Sequence, residues 1–433
     1  MGSKTYLPIN VYDAAIERMN IVFDRFEKVC VSFSGGKDST VMLHIALKIA
    51  KERGRKLYAL FVDLEGQYKV TIDHIEEMMV DNPNLMPYWV CLPINLRNAV
   101  SVFQPHWCCW DPDERENWVR DMPQHDCVVS DEDFFPFYWH RMEFEEFTPL
   151  FAHWLAGGES MASVVAIRSD ESMNRYRTVK KKRKSQLVLD GKRHKWTTRI
   201  TVDTNDATSQ VYNVYPIYDW RVEDIWTHIG KHGLPYNKLY DYMYLSGMSI
   251  HEMRICQPYG DDQRKGLDQF HKIEPDTWFR ILQRVSGANY GALYAGQKML
   301  GYNRGLGLPP GHTWESYTRL LLDTMPPATR EHYKEKFAVF LQWWEDHPDA
   351  CEWWRDKGGY PTIPDEAPRK LESKKKAPSW RRLALCILRN DFWCKSISFS
   401  MTKNIGRFYD EVEETGTAEA LIKPSVKEKY KDL

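Results

Sequence analysis

No stretch of this sequence approaches the roughly 18 continuous apolar residues that a membrane-crossing helix needs. The start, MGSKTYLPIN, has no apolar signal region, and Tyr6 stands where an N-myristoylation motif wants Ser or Thr. Net charge is missing too: 59 basic and 60 acidic side chains leave −1, so nucleic-acid binding would have to come from a local patch rather than a global field. Nine cysteines are present, but their irregular spacing is no disulfide framework, and no C-x-x-C pair occurs anywhere. These absences predict a protein of the reducing cytoplasm that does not associate with membranes.

What remains is an ordinary globular composition, 43% apolar and 27% charged, in a chain of 433 residues that is long enough for two domains. The many aromatic rings are expected in cores, where they are the densest source of burial. Strand-like and helix-like segments alternate through the first part. Lys28–Ser34 (KVCVSFS), Lys56–Asp63 (KLYALFVD), Tyr88–Ile94 (YWVCLPI) and Ser163–Ser169 (SVVAIRS) read as strands. A helix whose apolar face is Val41, Met42, Ile45, Ala46 and Ile49 follows the first strand, Tyr68–Met79 follows the second, and one around Glu143–Leu155 precedes the fourth. Such alternation predicts an α/β fold, a Rossmann-like parallel sheet covered on both faces, with ligands at the carboxyl ends of the strands. Residues 104–136 and 178–200 read as insertions. Beyond Ser286 the pattern turns helical, so the chain divides into residues 1–285 and a mainly helical domain of residues 286–433. No internal repeat stands out.

The sharpest local signal is CVSFSGGKDST, residues Cys30–Thr40. A strand ends, the chain turns, and a helix starts near Asp38. Gly35 and Gly36 let backbone N–H groups approach an anion, and the helix N-terminus adds a positive dipole. Lys37 adds a full charge, and Ser34 and Ser39 add hydroxyl donors. A Walker loop would hold four residues between its glycines, whereas here they are adjacent and Asp38 follows the lysine.

This S-G-G-K-D-S motif resembles the PP-loop of ATP pyrophosphatases, in the adenine nucleotide alpha-hydrolase superfamily. That resemblance implies a loop that grips the β and γ phosphates as a pyrophosphate leaving group, with cleavage between the α and β phosphates. Further segments, in order over about residues 25–260, resemble phosphoadenosine phosphosulfate (PAPS) reductases. FVDLEGQY resembles their VDTG element, with Asp63 in place and Leu64 and Glu65 departing from it. AIRSDES resembles their GxRRDES element, which sets Arg168 on the nucleotide phosphate and keeps Asp170 and Glu171. YPIYDWRVEDIW supplies Asp219 and Trp220. The resemblance implies a catalytic set of Lys37, Asp38 and Arg168, a second charge at the α-phosphate from Arg175, and ATP or PAPS as ligand with Mg²⁺ neutralising the pyrophosphate. The tail resembles the IbrA branch of this family, which often accompanies a ParB-like protein partner.

A PAPS reductase attacks sulfur with the cysteine of an E-C-G-[IL]-H motif, and this chain has none. With no C-x-x-C either, thiol-dependent reduction and an iron–sulfur cluster are not expected. His106, Cys108, Cys109, His125 and Cys127 cluster in sequence, but their spacing fits no zinc finger or ribbon, so buried thiols are expected there rather than zinc. Asp261 and Asp262 could hold Mg²⁺ through water beside a pyrophosphate. The basic run Lys180–Arg199 is either a solvated hairpin with a DGK turn or an arm that contacts nucleic acid phosphates. Three functions stay open: an ATP pyrophosphatase or adenylyltransferase, a nucleotide-binding regulator acting with a ParB-like partner on DNA, and a sulfur-handling enzyme (PAPS reductase or thiolation type).

Overall fold

In the computed structural model, which describes residues 6–80, 82–101, 104, 106–180, 186–189, 191–202, 210–255, 259–260, 267–288, 308–346, 351, 363–389, 391 and 394–397, strands and helices alternate as the apolar pattern requires. The strands are β1 (Lys28–Ser32), β2 (Leu57–Val62), β3 (Leu85–Val90), β4 (Ile94–Arg97), β5 (His106–Cys109), β6 (Val128–Val129), β7 (Met161–Val164), β8 (Leu187–Leu189), β9 (Lys192–His194), β10 (Thr197–Arg199) and β11 (Val211–Val214). Seven of them form one sheet in the order β10-β11-β7-β1-β2-β3-β6. Every neighbouring pair in it is parallel except β10 with β11.

The fold is therefore α/β with a mixed, mostly parallel sheet, followed by a largely helical C-terminal region. The antiparallel edge departs from the all-parallel expectation. It comes from the basic run, whose last residues form β10 and pair antiparallel with β11. Upstream of it, β8 and β9 pair as a hairpin in which Gly191 takes φ +72°, as a tight turn requires.

The helices of the α/β part are α1 (Val11–Arg25), α2 (Lys37–Glu52), α3 (Lys69–Met79), α4 (Phe144–Ala156), α5 (Met173–Lys180), α6 (Val222–His232), α7 (Leu239–Leu245), α8 (Leu267–Ile273) and α9 (Pro275–Arg284). The face of α2 read from the sequence is buried, with Val41, Met42, Ile45, Ala46 and Ile49 almost without exposure. Helices α1 and α6 pack against α2, and α4 lies on β7 and β11. Strand β1 has the parallel neighbours β2 on one side and β7 on the other, so the chain leaves it at the point where strand order reverses.

Contacts divide the chain into two units: residues 1–96, 108–257 and 269–284 in the first, and 97–107, 258–268 and 285–433 in the second. Helices α10 (Trp314–Asp323), α11 (Pro327–Asp346), α12 (Arg369–Ser373) and α13 (Trp380–Leu388) lie in the second unit, where Phe337, Leu341, Leu383 and Cys386 sit in a dense apolar core. Arg381 is buried beside that core on Glu366 (2.7 Å) and Glu372 (2.9 Å). Among the described residues no helix is long and apolar enough to cross a membrane.

Candidate active site

Residues 34–39 leave β1 and enter α2 in a turn that only glycine fits well. Gly35 has φ +70°, and a Cβ there would stand 3.0 Å from two carbons of Ile75 and 3.1 Å from Thr71 Cγ2. Its carbonyl accepts from Asn237 Nδ2 at 3.1 Å, and the same amide group donates to Thr71 Oγ1 at 2.9 Å. The loop is closed by its serines: Ser39 Oγ donates to the Gly36 carbonyl (3.0 Å), accepts from the Ser34 N–H (3.2 Å) and lies 3.0 Å from Ser34 Oγ. Behind the loop, Thr40 Oγ1 meets His74 Nε2 at 3.0 Å. The N–H groups of Gly35, Gly36, Asp38 and Ser39 donate to no described residue. They are the open end of α2, with its partial positive charge.

Lys37 is buried at 4% exposure. Its N–H donates to the Tyr240 hydroxyl at 3.0 Å, its ammonium donates to the Met253 carbonyl at 3.1 Å, and Asp38 Oδ2 lies 3.4 Å from the ammonium. Burial pulls the lysine below its usual range, and Asp38 opposes that pull. The other Asp38 oxygen accepts from Arg168 Nε. One carboxylate thus stands between the two cations that the sequence places on phosphate.

This loop borders a cavity of about 560 Å³ in the first unit. Ser34, Gly36, Lys37, Asp38 and Ser39 line it together with Arg175 and with Glu171 of the AIRSDES element, as does Arg254, which the sequence reading did not place in the site. Arg254 donates to the Glu171 carbonyl at 2.6 Å, and Arg175 lies 3.8 Å from the Glu171 carboxylate. Tyr240 lies in LPYNKLYD, and Met253 and Arg254 open MRICQPYGDDQRKGL, segments that resemble the family but carry no local sign of the loop. Only the folding of a distant segment over the loop brings them in.

Other expected residues lie elsewhere. Asp63 is wholly buried and does not line the cavity: it accepts from Trp89 Nε1 (2.8 Å), from the Glu65 N–H (2.9 Å) and from the Arg120 guanidinium. Asp219 makes a two-pronged ion pair with Arg18 (2.8 and 2.6 Å), and Trp220 Nε1 donates to the Val11 carbonyl at 2.9 Å, so both hold α1. Asp170 is exposed on the turn before α5. Asp261 and Asp262 lie outside the described residues. Cys108 and Cys109 are buried thiols, and burial first of all raises Cys108 to about 12. Cys109 Sγ lies 3.6 Å from the Leu92 carbonyl, and His125 pairs with Glu76 at 3.0 Å. Among the described residues no three His, Cys, Asp or Glu side chains come together as a metal-binding set.

Comparison with known proteins bears on this geometry. The family described as "Phosphoadenosine phosphosulfate reductase domain" matches residues 28–84 and 154–247, which contain β1, the loop, β2, β7 and β11. "Uncharacterized protein YbdN" of Escherichia coli (strain K12) is 38% identical over 415 residues, 95% of this chain and 96% of its own length. The chain belongs to the PAPS-reductase-like family. Membership is established at that level, within the adenine nucleotide alpha-hydrolase superfamily, and not for the IbrA branch. This PAPS-reductase-like chain also resembles the PAPS reductase of Salmonella newport (strain SL254), 32% identical over 139 residues, 32% of this chain and 51% of that enzyme. The match thus spans about half the length of that reductase. A solved PAPS reductase from Candida auris, in complex with phosphate, is 14% identical with a TM-score of 0.29, covering 57% of this chain and 96% of that one. That likeness is too low to carry an argument. A second description, "Domain of unknown function (DUF3440)", matches residues 247–360 and 360–407, and it is this part that supplies Met253 and Arg254 to the loop.

Proposed function

We propose that this chain binds ATP with its β and γ phosphates on Ser34–Ser39 and breaks the bond between the α and β phosphates. An oxygen or nitrogen nucleophile, from an acceptor or from water, bonds to the α-phosphorus. The bridging oxygen leaves with pyrophosphate, and the nucleophile's proton passes to solvent. The observation that carries this reading is the set of amides of Gly36, Asp38 and Ser39, which donate to no described residue, at the start of α2, beside the Lys37 ammonium and on the wall of a cavity within the usual size range for small ligands.

Mg²⁺ enters this reaction as part of the substrate, carried on the triphosphate. Asp38 is already held between Lys37 and Arg168, and the Glu171 carboxylate faces Arg175, so the described cavity wall offers no open carboxylate pair. Arg175 and Arg254 line the same cavity and in this reading meet the charge that develops on the α-phosphate, which fixed cations in a sheltered site stabilise without reorganising. Phosphate pulls Lys37 and Arg168 away from Asp38, so the loop exchanges one internal anion for an external one.

Two features favour this chemistry over reduction by a thiol. The sequence lacks the E-C-G-[IL]-H element, and the last two cysteines, Cys386 and Cys394, are fully buried, with burial raising the Cys386 thiol well above its usual range. The test is incubation of the purified protein with Mg²⁺ and α-labelled ATP. The expected products are labelled AMP, or a labelled adenylated acceptor, and an equal amount of pyrophosphate. Lys37→Met should lower the rate about 10²–10³-fold, the cost of removing one preorganised charge. A folded Lys37→Met protein that releases pyrophosphate at the original rate refutes the assignment.

A further inference from the structure

A planar trans peptide points its C=O and its N–H in opposite directions, so whatever holds the one aims the other. The peptide that joins Gly35 to Gly36 is held by its carbonyl. Gly35 O accepts from Asn237 Nδ2 at 3.1 Å, on the side of the loop where Thr71 and Ile75 pack. The N–H of the same peptide belongs to Gly36, which lines the cavity while Gly35 does not, and it donates to no described residue. The bond to Asn237 therefore turns this N–H to the cavity side. The next peptide is also held by its carbonyl, since Gly36 O accepts from Ser39 Oγ at 3.0 Å.

The carboxamide of Asn237 is fixed in its turn. The residue is wholly buried, its second amide hydrogen donates to Thr71 Oγ1 at 2.9 Å, and its oxygen accepts from the Leu239 N–H at 2.9 Å. Turned end for end, it would set its oxygen against the Gly35 carbonyl and its NH₂ against the Leu239 N–H. A peptide between two glycines, by contrast, reverses easily. Such a flip carries ψ of the first residue and φ of the second through about a half-turn, and glycine accepts φ of either sign. Gly35 already stands at φ +70° and Gly36 at φ −79°. Reversed, the peptide would offer the cavity a carbonyl, whose negative end repels an anion.

We propose that Asn237 is a positioning residue of the anion loop, which locks the Gly35–Gly36 peptide with its N–H toward the phosphate and keeps the reversed, carbonyl-in form unpopulated. This rests on the phosphate reading of the loop given above. Asn237 acts through one peptide and does not touch the nucleotide. Adjacent glycines let the backbone approach an anion closely, and the same freedom is what makes a lock necessary.

The experiment is equilibrium binding of pyrophosphate to the full chain, with NMR observation of the Gly36 amide. Glycine labelled at both its carbonyl carbon and its nitrogen gives a carbonyl-filtered amide signal only where glycine follows glycine, at Gly36, Gly158 and Gly359. In the wild type the Gly36 signal should move when pyrophosphate is added. Asn237→Asp keeps an acceptor for the Leu239 N–H and another for the Thr71 hydroxyl, and loses only the donor to Gly35. It should weaken pyrophosphate roughly 10–150-fold, the worth of a hydrogen bond to a charged group, and the Gly36 signal should no longer follow the wild-type shift at saturation. Protonating the new carboxyl restores a donor, so the gap to the wild type should narrow as pH falls from about 9 to about 6. Asn237→Leu has no donor at any pH and should show the loss without that recovery.

A merely structural role would lower the unfolding temperature of these variants and leave the affinity and the Gly36 shift of the folded protein unchanged, and that result overturns the proposal. The wild-type measurement decides even where a variant does not fold: pyrophosphate that binds without moving Gly36 overturns the lock and leaves the loop reading standing. Wild-type protein that binds no pyrophosphate overturns both.

Discussion

The departure of Leu64-Glu65 from the family's Thr-Gly has a structural cause that can be measured. Glu65 takes φ +57°, a backbone region that suits the glycine of the family pattern and penalises a glutamate. It is also wholly buried. Its carboxylate accepts four hydrogen bonds: from the N–H groups of Trp110 (2.7 Å) and Val119 (2.9 Å), and from two nitrogens of Arg284 at 3.1 Å each. Four acceptances fill the capacity of a carboxylate. Burial works against the Arg284 charge, but the hydrogen bond and charge of Glu65 outweigh it and hold the guanidinium above its usual range. Arg284 also donates to the Cys108 carbonyl at 2.8 Å.

Arg284→Met keeps the bulk and removes half of the carboxylate's partners. A buried charge that loses its counter-ion costs about 3–5 kcal/mol, and the two remaining amides put the expected loss near about 3 kcal/mol. Glu65→Gln should cost a comparable amount, because its NH₂ then faces a donor. In Glu65→Gln/Arg284→Met no charge is left buried without its counter-ion, although the new NH₂ still faces one backbone N–H, so the double variant should lose less than the two single losses combined. The assay is urea unfolding of all four proteins as a double-mutant cycle, with hydrogen exchange at the Trp110 and Val119 amides as a local readout. The argument fails if Arg284→Met costs under about 1 kcal/mol, the range of an exposed pair, or if the two losses simply add.

Gly35→Ala should destabilise by about 1–2 kcal/mol from the left-handed backbone and about as much again from crowding against Ile75 and Thr71. Thermal unfolding within experimental error of the wild type would contradict it. Stability should also fall on acidification. Burial above all, with the charges of His44 and Lys238, lowers His74 to about 4, so below about pH 6.5 the unfolded chain takes up a proton that the folded chain refuses. The loss grows as pH falls from about 6.5 to about 4, reaches about 3 kcal/mol for this group, and levels off below that. His74→Gln keeps a partner for Thr40 and should flatten the slope. It should not abolish it, since His106 and His228 are also lowered to about 4. An unchanged slope in His74→Gln refutes the assignment to His74.

The sequence by itself determined the parts that local chemistry dictates. The glycine pair and lysine between an apolar run and an amphipathic helix specify an anion loop, because strand, turn and helix each need their own residue types at adjoining positions. The alternation that follows specifies the parallel layers around it, and β1, β2, α2 and α3 lie close to where the periodicity puts them. Tertiary structure decided what reaches that loop and what does not. Asp63 follows β2 much as the loop follows β1, yet Arg120 and Trp89 consume its carboxylate. Glu65 is stabilised by an arginine 219 positions away, and Lys37 donates to a carbonyl 216 positions away. Asn213 lines the cavity only because β11 pairs with β7 in this register, and a slip of one residue would turn it to the other face. Such pairings depend on the sum of distant packing and leave no trace in local periodicity, whereas a turn and a helix cap are fixed by the few residues that form them.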